Sequence, residues 1–125
     1  MGNLIEIKGV THAYKTRTGP FPVLRDLNIS IPEGSFCAVV GPSGCGKSTL
    51  TRLIAGLMFP DQGEVWLHGE LVRSPRKTVG MAFQNPVLLE WRTILQNVML
   101  PLEIVAPMMP RRQKEERARA LLAMV

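Results

Sequence analysis

An α/β fold is what this 125-residue sequence predicts, and three adjoining observations carry the prediction. Phe36 to Val40 is a short, unbroken apolar run, the pattern of a parallel strand buried on both faces. Directly after it, Gly41, Gly46, Lys47 and Ser48 fill the spacing G-x-x-x-x-G-K-[ST]. Lys47 to Leu57 then carries Leu50, Leu53, Ile54 and Leu57 at helical spacing. A strand, a glycine loop and a helix in that order form an anion site, because several loop N–H groups converge at a helix N-terminus.

The rest of the chain takes its place around that unit. Leu4 to Val10 has strand character, and Thr11 to Lys15 leads into a turn-rich stretch through Gly19, Pro20 and Pro22. Val23-Leu24 and Leu27 to Ile31 resume the alternation of a half-buried strand, and Pro32-Glu33-Gly34 turns the chain into the apolar run. Two strands ahead of the loop therefore predict an antiparallel layer. After the helix, Gly56 is expected to cap it and Pro60 to Gly63 to form a turn. Glu64 to Leu67 and Glu70 to Val72 flank His68-Gly69 as a hairpin. Thr78 to Phe83 reads as a further apolar strand that stops at Gln84. Thr93 and Gln96 have the spacing of a capping box, opening a helix toward Leu100. Pro110 opens a last helix with Ala118, Leu121, Leu122 and Val125 on one face. Together these predict a partial P-loop NTPase core with an antiparallel β layer and the start of a helical subdomain. The expected division is about 1–92 for nucleotide core and β layer and about 93–125 for the helical part, with 1–125 as the N-terminal part of a single larger domain.

Composition bounds the partners. The chain is ordinary globular material, 46% hydrophobic and 20% charged, and its net charge of +5 suits a phosphate-rich ligand or an anionic surface. At 6% aromatic it lacks the stacking platform of a single-strand binder, so nucleic acid is not an expected partner. Two cysteines, Cys37 in the expected buried strand and Cys45 in the loop, make no disulfide framework and fit a reducing compartment. The N-terminus is too charged for a leader, and Glu6 stands where a myristoylation signal needs Ser or Thr. The apolar stretch 98–109 is interrupted by Pro101, Glu103 and Pro107 and is too short to cross a bilayer.

The ordered motifs resemble the ATP-binding subunit of ABC transporters. Four features besides Gly-Pro-Ser-Gly-Cys-Gly-Lys-Ser-Thr carry the resemblance. They are Tyr14 ahead of the loop, Pro32-Glu33-Gly34 before an apolar strand, Pro60 to Val65 before a hairpin, and Gly80 to Gln84 followed by Leu88 to Thr93. Asn85 to Thr93 is most similar to importers of the nitrate, sulfonate and taurine group. The resemblance implies ATP and Mg²⁺ as cofactors, a transmembrane permease subunit and a second ATP-binding subunit as partners, and a peripheral place on the cytoplasmic face of the membrane.

Roles follow residue by residue. Gly41, Pro42, Ser43, Gly44, Cys45, Gly46, Lys47, Ser48 and Thr49 form the cofactor site, with backbone N–H groups of Gly44 to Ser48 around the β- and γ-phosphates. Lys47 brings a compact cation to the β/γ oxygens, and the Ser48 hydroxyl is expected on Mg²⁺ with Thr49 nearby. The resemblance places Tyr14 on the adenine, a stacking contact of roughly 1–3 kcal/mol by analogy with base–aromatic stacking. Gln84, ending a strand, is expected as the catalytic amide between Mg²⁺ and water, and the resemblance implies that it also starts a loop that senses the membrane subunit. Trp91 with Val87 to Leu89 reads either as a docking surface for a membrane-subunit helix or as packing under the following helix.

Other parts of the family's machinery do not occur in these residues. The aspartates are Asp26 and Asp61, neither of which follows an apolar strand or precedes a glutamate. No Ser-Gly-Gly-Gln occurs, and His12 and His68 lie too early to be the family's switch histidine. Loss of a water-activating base costs about 10²–10⁴ in rate. The expectation is the front portion of an ATPase domain, truncated before the catalytic Asp-Glu and the signature, and inactive in hydrolysis alone. The alternative is a non-hydrolysing nucleotide-binding remnant or interaction module. Another P-loop enzyme, such as a kinase or GTPase, fits less well because of the strands before the loop and the Gln84 segment.

Overall fold

The computed structural model describes residues 2–125, so Met1 of the N-terminal segment lies outside the described residues. The chain divides into two compact units, one ending at Val79 and the other spanning Gly80–Val125.

The first unit is a four-stranded antiparallel sheet with one helix. Strands β1 (Asn3–Thr16) and β2 (Gly19–Pro32) form a long hairpin, followed after the loop by helix α1 (Lys47–Ile54) and strands β3 (Gln62–Leu67) and β4 (Glu70–Leu71). The strand order is β2-β1-β3-β4, which confirms the antiparallel layer expected ahead of the loop. The turn between β1 and β2 is tighter than the proline-rich stretch suggested. Thr16 pairs with Gly19, and Pro20 and Pro22 lie inside β2 opposite Lys15 and Ala13. They are tolerated because β2 is the edge of the sheet, where a missing N–H need not break a ladder. His68 and Gly69 both have positive φ (50° and 72°), the backbone of a type I′ hairpin joining β3 to β4.

Apolar residues from both layers close one core: Ile7 and Val10 of β1, Leu24 of β2, Val65 and Leu67 of β3, and Leu50 and Leu53 of α1. Each such side chain contributes roughly 1.5–3 kcal/mol on burial. The end of α1 is set by Gly56 at φ 73°, as the sequence predicted. Gly56 N–H donates to Leu53 O at 3.2 Å and Leu57 N–H to Arg52 O at 3.0 Å, the paired bonds of a Schellman motif. The helix therefore stops at Ile54, and Leu57, expected on its apolar face, lies beyond it and half exposed.

Two expected strands are not formed. Residues 36–40 and 78–83 run without ladder partners among the described residues, and Phe36 and Val40 are 98% and 92% exposed. An apolar run becomes a strand only when a neighbour accepts and donates its backbone hydrogen bonds, and neither segment has one here. Cys37 is accordingly exposed instead of buried, and both cysteines are free.

The second unit packs helix α2 (Ile94–Val105) against α3 (Arg111–Leu122). The capping box of α2 is complete: Gln96 N–H donates to Thr93 Oγ1 at 3.2 Å and Thr93 N–H to Gln96 Oε1 at 2.9 Å. α2 continues through Pro101 to Val105, past the expected end near Leu100. Asn97 clamps the segment before it, accepting from Leu89 N–H at 2.7 Å and donating to the carbonyls of Leu89, Arg92 and Thr93. On α3, Ala118 is fully buried, but Leu121 is half exposed and Val125 lies beyond the helix in solvent. The expected apolar face is thus covered only in its first part.

Candidate functional site: a glycine loop at a helix N-terminus

Residues 41–46 curl between the extended segment and α1. Gly44 (φ 79°) and Gly46 (φ 105°) adopt a left-handed backbone that side chains resist. Gly46 is also held close to β2: a Cβ there would stand 2.9 Å from Leu24 Cδ2 and 3.0 Å from Val23 Cγ1. The loop is tightened by Cys45 N–H donating to Pro42 O at 3.3 Å.

The hydrogen-bond donors of this turn point to its chemistry. The first N–H of α1 with a helical acceptor is Leu50, which donates to Gly46 O at 2.9 Å. Among the described residues, the N–H groups of Gly44, Gly46, Lys47, Ser48 and Thr49 find no acceptor in the protein, and no side chain caps the helix. An array of unpaired donors at the positive end of a helix dipole favours an anion with several oxygens. Lys47 Nζ lies over the same loop, donating to Gly41 O at 2.5 Å and Pro42 O at 2.7 Å, with Cys45 Sγ 3.6 Å away. Ser43, Gly44, Cys45 and Ser48 are exposed, so the loop mouth faces solvent.

Tyr14 and Thr49 meet on the inner side. Tyr14, near the end of β1, shares a 2.8 Å hydrogen bond between its hydroxyl and Thr49 Oγ1, and lies 3.7 Å from Met58 Sδ. Thr49 is buried, so its side chain braces the first turn of α1. Sequence reasoning set His12 and Asp61 aside from the site, yet both lie against Tyr14's strand. His12 is buried with its ring edge-on to Tyr14, and Asp61 accepts Ala13 N–H at 2.8 Å. The alternation Val10, His12, Tyr14 along β1 was the available signal, since it puts all three on the core face.

No three His, Cys, Asp or Glu side chains gather into a metal cluster among the described residues. Magnesium carried by a nucleotide needs only one or two protein oxygens beside phosphate oxygens and water, a demand that the exposed Ser48 hydroxyl fits.

Gln84 belongs to the second unit, where it is exposed on irregular backbone. Val87, Leu88 and Trp91 are also exposed, Trp91 by 79%. Trp91 borders a cleft of about 540 Å³ with Arg92, Gln96, Met99, Glu103 and Lys114. Arg92 and Glu103 pair across it at 2.9 Å, and the buried Lys114 reaches Pro107 O at 3.4 Å. No helix among the described residues is long and apolar enough to cross a membrane.

Comparison with known proteins agrees with this geometry. Residues 24–125 match the family described as ABC transporter. The chain is 40% identical over 119 residues to the bicarbonate transport ATP-binding protein CmpD of Synechococcus elongatus, covering 95% of this chain and 43% of that protein. It is 38% identical to the taurine import ATP-binding protein TauB of Pseudomonas entomophila, covering 98% of this chain and 46% of the relative. The chain thus spans less than half the length of these relatives. Among solved structures, it is similar to the dimeric, post-hydrolysis ATP-binding cassette MJ0796 bound to ADP and Pi. That match has a TM-score of 0.87 and 32% identity, over 96% of this chain and 56% of the other. The fold is that of part of an ABC ATPase cassette, and with most of its length inside the matched region the chain belongs to the ABC transporter family.

Proposed function

We propose that this chain binds Mg-ATP as the front part of the energy-coupling subunit of an ABC importer, of the nitrate, sulfonate and taurine-like group. The observation that carries the reading is the set of N–H donors of Gly44, Gly46, Lys47, Ser48 and Thr49, without acceptors among the described residues, beside the Lys47 ammonium. The loop donors and Lys47 hold the β- and γ-phosphates, Ser48 supplies an oxygen to Mg²⁺, and Tyr14 stacks on the adenine. Bound Mg²⁺ neutralises charge on the phosphate oxygens. Gln84 orients water near the terminal phosphate in the assembled subunit, and Lys47 moves from the loop carbonyls to the phosphate oxygens on binding.

The relatives' names support the importer reading, since CmpD and TauB are ATP-binding proteins of bicarbonate and taurine transport. The partners are a transmembrane permease subunit, which docks at the Trp91 cleft, and a second ATP-binding subunit, as the dimeric structural relative suggests. With those partners the subunit would lie on the cytoplasmic face of the membrane. The domain reading keeps residues to about 92 with the nucleotide core and about 93–125 with the helical subdomain.

Titration calorimetry with ATP and Mg²⁺ tests the reading. The chain is expected to bind ATP, and Lys47→Ala to weaken binding at least about tenfold, the loss of one charge-assisted contact of roughly 1.5–3 kcal/mol. Unchanged affinity in Lys47→Ala would refute the assigned site. With no aspartate–glutamate pair in its sequence, the chain by itself is expected to show no ATP turnover in a phosphate-release assay.

A further inference from the structure

We propose that His12 is a positioning residue for the nucleotide base: it sets the ring of Tyr14, whose hydroxyl Thr49 holds at the other end. This rests on Tyr14 being the adenine contact. His12 occupies a core position on β1, 8% exposed, two residues after the fully buried Val10 and opposite Leu24 of β2. Both of its ring nitrogens are buried, and neither makes a hydrogen bond among the described residues. An imidazole in such a place is costly, because unpaired buried polar atoms lose their water without compensation. An aliphatic side chain would serve the core better, so the ring has another use.

Its surroundings show that use. Asp61 is tied to the backbone on both sides of His12, accepting Ala13 N–H at 2.8 Å and donating its own N–H to Thr11 O at 3.0 Å. Its Oδ2 stands 3.5 Å from His12 Nδ1, beyond a hydrogen bond of good geometry but close enough to orient the ring. The His12 ring meets Tyr14 in a T-shape, with centroids 5.2 Å apart and planes at 84°. The Tyr14 hydroxyl is bonded to Thr49, the residue after Ser48 in the first turn of α1. Tyr14 is therefore held at both ends, by His12 at the ring and Thr49 at the hydroxyl. A ring already fixed loses less freedom when a base stacks on it, which raises affinity without a new contact.

The test separates the base from the phosphates by comparing Mg-ATP with inorganic triphosphate, which carries no base. Tyr14 is the single tyrosine of the chain, so ring labelling gives one assignable set of NMR signals. His12→Leu and His12→Gln, which remove the ring, are expected to weaken ATP binding about three- to tenfold, the range of one aromatic pair. Both are expected to leave triphosphate binding unchanged. His12→Phe, which restores an aromatic edge, is expected to return ATP affinity to within about twofold. Either ring-less variant suffices if the other does not fold. Equal loss of ATP and triphosphate binding would mean a merely structural histidine and overturn the proposal, as would ATP affinity unaltered in the ring-less variants. If ATP and triphosphate shift the wild-type Tyr14 signals alike, the adenine contact itself is wrong and the proposal falls with it. That failure is distinguishable from failure of nucleotide binding, which Lys47→Ala reports.

Discussion

At the scale of single residues, the shape of the loop depends on two positions that carry no side chain. Gly44 and Gly46 take a left-handed backbone, and Lys47 lies over the loop against Gly41 O and Pro42 O. Cys45 is exposed, with its sulfur 3.6 Å from the Lys47 ammonium and 2.8 Å from where a Cβ on Gly41 would stand. On the proposed reading of the loop, an alkyl group on that sulfur would fill space that a phosphate needs. Peptide-resolved alkylation is therefore expected to label Cys45 several-fold more slowly with Mg-ATP present, while the equally free Cys37 is unaffected. Equal protection of both, or of neither, would remove Cys45 from the site. The identities of these loop residues were legible in the sequence, because glycine spacing is a local signal. The pairing of Tyr14 with Thr49 was not, since it joins residues 35 apart through the packing of α1 on the sheet.

At the scale of elements, the helix ends are specified by their own residues. Gly56 terminates α1 through the two bonds of its Schellman motif, and Thr93 opens α2 through the reciprocal bonds with Gln96. Thr93→Ala removes the acceptor for Gln96 N–H and is expected to cost about 1 kcal/mol. Hydrogen exchange at the first turn of α2 checks this: protection should fall about fivefold there, with the amides of β1 unchanged. Loss spread over both units would assign Thr93 a wider role. Both caps and the His68-Gly69 turn are short-range patterns and were predicted as found. The length of α1 and the fate of Pro20 and Pro22 depended on longer-range facts. Leu57 continued a helical period but lies past the capping glycine, and the two prolines are accommodated only because β2 is an edge.

At the scale of the whole chain, two segments that sequence patterning marked as apolar strands, residues 36–40 (read as buried and parallel) and 78–83, have no ladder partners among the described residues. Phe36 and Val40 present nearly all their surface to water, next to a loop that otherwise has its full geometry. Exposed apolar runs of this kind bind hydrophobic dyes and promote association. Phe36→Ser combined with Val40→Thr is expected to lower dye fluorescence severalfold and to leave ATP binding by the loop within about twofold, since neither change touches the donors of residues 44–49. Undiminished fluorescence would place the sticky surface elsewhere, at Val87 to Trp91 or on α3.

The amino-acid sequence by itself determined the local features of this protein: the glycine loop, the lysine and serine that follow it, the helix caps, the hairpin turn and the family they compose. Each depends on residues within a few positions of one another, where backbone sterics and side-chain donors decide the outcome. The tertiary structure alone decided which apolar runs found strand partners, how much of each helix face was covered, and that His12 and Asp61 stand behind Tyr14. Those outcomes depend on hydrogen-bond ladders and packing between distant segments, and no local pattern encodes whether the partner is present.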